Sequence, residues 1–190
     1  MLLAFDLMDT LLTDPYRSMY EQALGIPYEQ YERLRPPGLW EQLECGEIDE
    51  AAYWGALRAV GLEADAAVFH RVRRAGYAWM SGMRELVAEC AVAHPTVIAS
   101  NYPVWIEEIG QTLLAGTGLD IHASCRLGVR KPSREFFRLL AERTGSAPHE
   151  LVFVDDQPTN TAAVNDIGGL GLTFVSAAET RRRLIAHGLL

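Results

Sequence analysis

The chain has 190 residues, enough for one good-sized domain or a core with a small insert. With 49% hydrophobic and 22% charged residues it has the composition of an ordinary soluble globule, which excludes a disordered chain. A net charge of -8 argues against non-specific nucleic-acid binding but leaves room for a small anionic substrate at a locally cationic site. Cys45, Cys90 and Cys125 are odd in number and far apart, and read as free thiols in a reducing compartment. The apolar N-terminus is interrupted at once by Asp6, unlike a signal peptide. No run approaches the roughly 18 apolar residues of a membrane span. The expectation is a cytoplasmic protein with neither a membrane nor a nucleic-acid partner.

In chain order, residues 2–7 form the first of four apolar runs that read as buried strands, and this one delivers the carboxylate of Asp6. From about Asp14 to Gly82 the composition shifts to Leu, Ala, Trp, Tyr, Glu and Arg with no convincing strand. Trp54, Leu57 and Val60 share a helical face there, Leu62 follows Gly61 at a helix end, and Pro36-Pro37-Gly38 separates two helices. Trp40, Tyr53, Trp54, Tyr77 and Trp79 read as core of this helical stretch, with one or two of them lining a cleft. Arg71, Arg73 and Arg74 read as a solvated helix face, as do Arg181, Arg182 and Arg183. Met83, Leu86, Val87 and Cys90 mark the next helix, and residues 96–100 the second strand. A weaker strand spans 121–124. Phe136, Phe137, Leu139 and Leu140 recur at helical spacing after an N-cap at Ser133. Residues 151–155 and 171–175 complete the strands. Alternation of strands and helices, with strands lacking polar alternation, predicts an α/β fold: a doubly wound parallel sheet formed by residues 1–13 and 83–190, carrying an inserted small all-helical unit at 14–82.

In such a sheet, ligands bind at the carboxyl ends of the strands. Asp6, Ser100 and the pair Asp155-Asp156 each end an apolar run, so one sheet edge gathers them. A strand-end carboxylate such as Asp6 can act as a nucleophile, or simply cap the following turn. Thr10 is a turn hydroxyl. Ser100 and Asn101 offer a hydroxyl and an amide to an anion at the start of a helix, or a plain helix cap. Adjacent acids at a strand end repel one another and are costly to desolvate, and a bound cation relieves both. One of the two could cap a helix ahead of Pro158, but two exceed that need. The five histidines share no ligand spacing, so a zinc site is not expected.

Four pieces together resemble the haloacid dehalogenase-like (HAD) hydrolase superfamily. They are Asp6-Leu7-Met8-Asp9-Thr10; Ser100-Asn101; Gly128-Val129-Arg130-Lys131-Pro132 followed by Phe136; and Asp155-Asp156 with Asn160. The resemblance covers nearly the whole chain. It implies a Rossmann-like core with a helical cap at 14–82, and a Mg²⁺-dependent phosphohydrolase acting on a small phosphorylated metabolite. In that reading Asp6 is the nucleophile, forming an aspartyl phosphate. Thr10, Ser100, Asn101 and Lys131 hold the phosphoryl group. Lys131 also neutralises charge, and Arg130 beside it is solvated. Asp6, the Met8 backbone carbonyl and Asp156 bind Mg²⁺, Asp155 helps directly or through water, and Asn160 is a second polar anchor. One position departs from the family's D-x-D-x-T: Met8 replaces the acid that protonates the leaving group and activates water, help typically worth about 10²–10⁴-fold. Asp9, where the family commonly has Gly, could substitute only if the loop shifts. Met8 therefore leaves open a phosphohydrolase for good leaving groups such as acyl phosphates, an enzyme with a long-lived aspartyl phosphate, a 2-haloacid dehalogenase, or a non-catalytic protein that binds a phosphorylated ligand or a partner.

Overall fold

The computed structural model describes Met1–Leu190. Strand β1 (Leu2–Phe5) leads into helices α1 (Tyr16–Leu24), α2 (Tyr28–Leu34), α3 (Leu39–Glu44), α4 (Glu50–Ala59), α5 (Ala66–Gly76) and α6 (Met83–Ala93). Next come β2 (Thr96–Ser100), α7 (Ile106–Gln111), β3 (Asp120–Ala123), α8 (Ser124–Leu127) and α9 (Arg134–Thr144). The chain closes with β4 (Leu151–Asp155), α10 (Pro158–Asn165), β5 (Leu170–Thr173) and α11 (Ala177–Ala186). The five strands form one parallel sheet in the order β3-β2-β1-β4-β5.

Burial on both faces explains the unalternated apolar runs. Leu2 and Ala4 of β1, with Val97, Ala99, Leu151 and Phe153, pack on Phe136, Phe137 and Leu140 of α9 and on Ala163 and Val164 of α10. Leu3 and Phe5 point the other way, with Ile98, Val152 and Val154, toward Leu86, Val87 and Cys90 of α6, Ile106 and Ile109 of α7 and Leu184 of α11. The chain builds outward from β1 through β2 to β3, then returns to place β4 on the opposite side of β1. The carboxyl ends of β1 and β4 therefore flank the point where strand order reverses, which is where open α/β sheets bind ligands.

The elements differ from the sequence expectations mainly at their ends. Strand β1 stops at Phe5, because Leu11 and Leu12 both donate backbone hydrogen bonds to the Leu7 carbonyl and the chain turns there. The last strand ends at Thr173, and Val175 lies in solvent. Ser124 starts α8 rather than ending β3. Val60 follows α4 as its exposed C-cap and does not share the buried face of Trp54 and Leu57. No helix is long and apolar enough to cross a membrane. All three cysteines are free thiols.

Between β1 and β2 the chain is helical, with α1 packed along α5. Tyr20, Tyr31 and Tyr53 are fully buried among these helices, and their hydroxyls bond to one another. Trp40, Tyr53, Trp54 and Tyr77 are buried as expected, while Trp79 is half-buried. Arg73 departs from the solvated face predicted for it. It is 1% exposed and paired with Glu108 of α7, whereas Arg71 and Arg74 are exposed.

Candidate active site

Asp6 follows β1 directly, its backbone N–H bonded to the Val154 carbonyl of β4 at 2.8 Å. That bond sets it beside Asp155, the last residue of β4, and next to Asp156. One carboxylate oxygen from each of these three residues lies within 4.8 Å of the others. Lys131 reaches the group from the loop before α9. Its ammonium is 2.7 Å from Asp6 Oδ1 and 2.6 Å from Asp155 Oδ2, and it lies over the Phe153 ring. Burial would strip Lys131 of its proton, but Asp6 and Asp155 outweigh burial and hold its pKa above the ordinary lysine value.

The supporting bonds assign work to several residues singled out in the sequence. Asn101 spends both ends of its amide on the Lys131 backbone, accepting from Lys131 N at 2.8 Å and donating to Lys131 O at 3.0 Å. It is thus a clamp on the lysine loop. Asn160 donates to both Asp155 oxygens at 2.9 and 3.0 Å, and Gln157 N adds a third bond at 2.8 Å. The lone pairs of Asp155 are therefore largely occupied, while Asp156 is half-buried and its carboxylate accepts only from the Gln157 side-chain amide beside it. Helix α10 takes Gln157, not either acid, as its N-cap. The Thr10 hydroxyl accepts the Asp156 N–H at 3.1 Å, which ties the first loop to the fourth. Ser100 is buried at the end of β2 and lines the cavity over Asp6. It does not open a helix as expected: residues 102–105 intervene before α7. Arg130 is not simply solvated either, since it pairs with Glu44 at 3.0 Å and Glu41 at 3.4 Å.

Two adjoining cavities result. The first, of about 160 Å³, is lined by Asp6, Met8, Asp9, Asp14, Ser100, Asn101, Lys131, Asp156, Gln157 and Asn160. The second, of about 230 Å³, opens between the helical stretch and the sheet edge, with Tyr16, Tyr28, Trp40 and Tyr102 among its walls together with Glu32, Arg35 and Glu44. Met8, Asp14 and Asn101 border both. Sequence reasoning missed Asp14, which was only the boundary of the helical insert, and the aromatic wall apart from Trp40. Nothing in a helical pattern says which tyrosine faces a cleft.

The first cavity has an excess of negative charge. Burial pushes the Asp6 carboxyl up to about 7 against the pull of Lys131, with Asp155 adding to the rise. Asp156 is also raised, first by burial and then by Asp155. A single ammonium does not offset three carboxylates, and an all-oxygen donor set suits a hard divalent cation such as Mg²⁺. The residues present therefore fit such an ion. Asp9 takes a φ of 54°, the left-handed region that favours glycine, and its Oδ1 accepts the Asp14 N–H at 3.2 Å.

No protein-family model matches the chain. It is 32% identical over 190 residues to flavin mononucleotide hydrolase 1, a chloroplast protein of Arabidopsis thaliana, across 99% of this chain and 78% of that protein. A HAD family enzyme of Bacteroides thetaiotaomicron, solved with magnesium and inorganic phosphate, shares the fold at a TM-score of 0.77 and 18% identity, covering 92% of this chain and 94% of that one. The L-2-haloacid dehalogenase of Xanthobacter autotrophicus shares it at a TM-score of 0.64 and 18% identity, over 100% of this chain and 84% of that one. The chain belongs to the haloacid dehalogenase-like (HAD) hydrolase superfamily. It is a hydrolase.

Proposed function

We propose that the protein hydrolyses a phosphate monoester of a small metabolite through an aspartyl-phosphate intermediate. The observation that carries this reading is the buried Lys131 ammonium held between Asp6 and Asp155 beside a cavity lined by Ser100. A carboxylate nucleophile and a phosphate dianion repel one another, and a buried cation at their meeting point lowers that barrier. Asp6 attacks phosphorus. Lys131 and Ser100 hold the phosphoryl oxygens, and Asn101 keeps the lysine loop in place. Thr10 and Asn160 orient Asp156 and Asp155. The Asp6 carboxylate, the Met8 carbonyl and Asp156 would hold Mg²⁺, with Asp155 in support, and the ion would supply further charge neutralisation. The helical stretch at 14–82 acts as a cap that excludes water and selects the substrate.

The aromatic second cavity suits a leaving group with a planar or apolar part. The Arabidopsis relative, named for flavin mononucleotide, makes that ester the first substrate to try. A haloacid dehalogenase reading fits less well, because two acids beside Asp6 would repel the substrate carboxylate. The test is release of phosphate from flavin mononucleotide, p-nitrophenyl phosphate and acetyl phosphate, with Mg²⁺ and with EDTA, by the wild type and by Asp6→Asn. The expected result is Mg²⁺-dependent turnover reduced at least about 10³-fold in the variant. Undiminished turnover by Asp6→Asn would sink the mechanism.

A further inference from the structure

Met8 leaves the reaction without the usual group to protonate the departing oxygen. A substitute must reach both the phosphoryl cavity and the space that receives the leaving group. Asp6, Asp9, Asp14 and Asp156 line the first cavity, and Asp14, Glu32 and Glu44 the second. Asp14 alone among the acids borders both. Resting on the phosphohydrolase reading above, we propose that Asp14 is the proton donor and acceptor that replaces the missing acid at Met8.

Its placement is well fixed. Asp14 sits where the chain leaves the sheet edge for α1. Its own N–H bonds to Asp9 Oδ1, and its Oδ1 accepts the Tyr16 N–H at 2.9 Å. The residue before it, Thr13, is pinned to the returning strand of chain: its N–H bonds to the Ala78 carbonyl at 2.9 Å, and its hydroxyl to the Gly76 carbonyl at 2.6 Å. Pro15 presses so closely on Gly76 that an added Cβ there would lie 2.4 Å from the proline ring. A group held this way is better oriented for proton transfer than one on a free loop. The tether occupies Oδ1 and leaves Oδ2 for the proton.

The surroundings favour the protonated form before reaction. Asp14 is exposed at the cavity rim, yet the protein packed around it raises its carboxyl to about 6 against the opposing Tyr16 N–H, and the carboxylates of Asp9 and Asp156 add to the rise. The phenols of Tyr77 and Tyr102 also lie close enough to feel its charge. Of the charged groups on the second-cavity side, Arg35 is paired with Glu32 and Glu41, and Glu44 with Arg130. The exposure of Asp14 tempers the rise and lets the proton exchange with bulk water. Asp9, the alternative donor, does not border the leaving-group cavity.

The steps balance. As the bond from Asp6 oxygen to phosphorus forms, the bond to the ester oxygen breaks. Its electron pair stays on that oxygen, which takes the proton of Asp14. Water then attacks the aspartyl phosphate and gives a proton to the Asp14 carboxylate. The Asp6–phosphorus bond breaks with its electrons returning to Asp6, and inorganic phosphate leaves.

The experiment compares wild type, Asp14→Asn, Asp14→Ala and Asp9→Asn, with Mg²⁺ present, on p-nitrophenyl phosphate and phenyl phosphate. The nitrophenolate departs without a proton, whereas phenol needs one. Asp14→Asn keeps the acceptor for Tyr16 N–H, so it tests the acid and not the turn, and a thermal melt confirms the fold of each variant. The expected result is a loss of kcat/KM, which reports the ester-cleaving step alone and not the hydrolysis of the shared aspartyl phosphate, of about 10²-fold or more on phenyl phosphate and under about tenfold on p-nitrophenyl phosphate in both Asp14 variants. Equal losses on the two esters, or none, would overturn the assignment. So would a split appearing in Asp9→Asn instead. Wild-type silence on both esters and on flavin mononucleotide would remove the phosphohydrolase reading itself, and the assignment with it.

Discussion

Lys131 and Glu44 show how differently single residues announce themselves. Lys131 stands in a G-x-x-K-P-x-x-x-F stretch, and that context alone lifts it above an ordinary surface lysine. Its burial between two acids follows. Glu44 has no such context. It closes α3, where a glutamate normally points to water, yet it is 5% exposed because α3 packs on α8 and the Ser124 hydroxyl bonds to the Glu44 carbonyl at 2.6 Å. Its carboxylate comes within 3.0 Å of Arg130 without the alignment of a hydrogen bond, so the pairing is incomplete. Burial therefore prevails and lifts the carboxyl from 4.5 to about 7, against the pull of Arg130. Between those two values the folded protein keeps a proton that the unfolded chain has released, so stability falls as pH rises through that window. At 1.36 kcal/mol per unit, the loss amounts to about 3 kcal/mol. Glu44→Gln removes this dependence. Its stability in urea, relative to wild type, should be more favourable at pH 8 than at pH 5. An unchanged difference across that range would mean that Glu44 is ionised in the fold throughout.

At the scale of elements, the core was legible because its strands are buried on both faces. β1, β2 and β4 contain no polar alternation to confuse the reading, and each delivers its candidate site residue at its carboxyl end. β5 was legible only roughly. It is an edge strand with one buried residue, and nothing apolar marks where it stops. The polar pair Ser100-Asn101 resembles a helix cap in sequence, but Tyr102 and Trp105 are buried after it and the chain is drawn inward before α7 begins. Close packing was invisible in the pattern. Gly171 lies so near α10 that a Cβ on it would stand 2.1 Å from the Thr161 carbonyl oxygen. That atom is helix backbone, so Gly171→Ala must push α10 away from β5. Overpacking of this kind costs about 1–3 kcal/mol. The helix also carries Asn160, which holds Asp155 by two bonds. We expect a lower melting temperature together with a fall in kcat, although residue 171 is not part of either cavity. A lower melting temperature with full kcat would show that α10 shifts without carrying Asn160.

For the whole molecule, what shapes the second cavity is how the helical stretch sits on the sheet edge. The sequence motifs told which strand ends gather, and the strand order, with β1 between β2 and β4, brings them together. The walls of the second cavity come from α1, α2, α3 and the loop after β2, and no single-chain pattern relates those pieces. The same gap explains the misreading of Arg73: three arginines on α5 look alike until α7 covers one of them. The joint between the two parts is made largely of such unannounced polar contacts. Glu50 accepts from Trp105 at 2.8 Å as well as from Trp54 and contacts His70, and Glu108 of α7 binds both Arg73 and Arg74 of α5. Arg73 is the one that matters, because it is buried and keeps its charge, whereas Arg74 is exposed. Removing the partner of a buried ion is costly, about 3–5 kcal/mol when both groups are dry. Glu108 is 37% exposed, so water takes over part of its role and about 1–2 kcal/mol is the better expectation for Glu108→Gln. That loss should fall on the joint and not on the sheet. Amide exchange should quicken in α5, whereas β1 and β4 keep their protection. Exchange that quickened equally in the strands would mean that the helices and the sheet unfold as one unit.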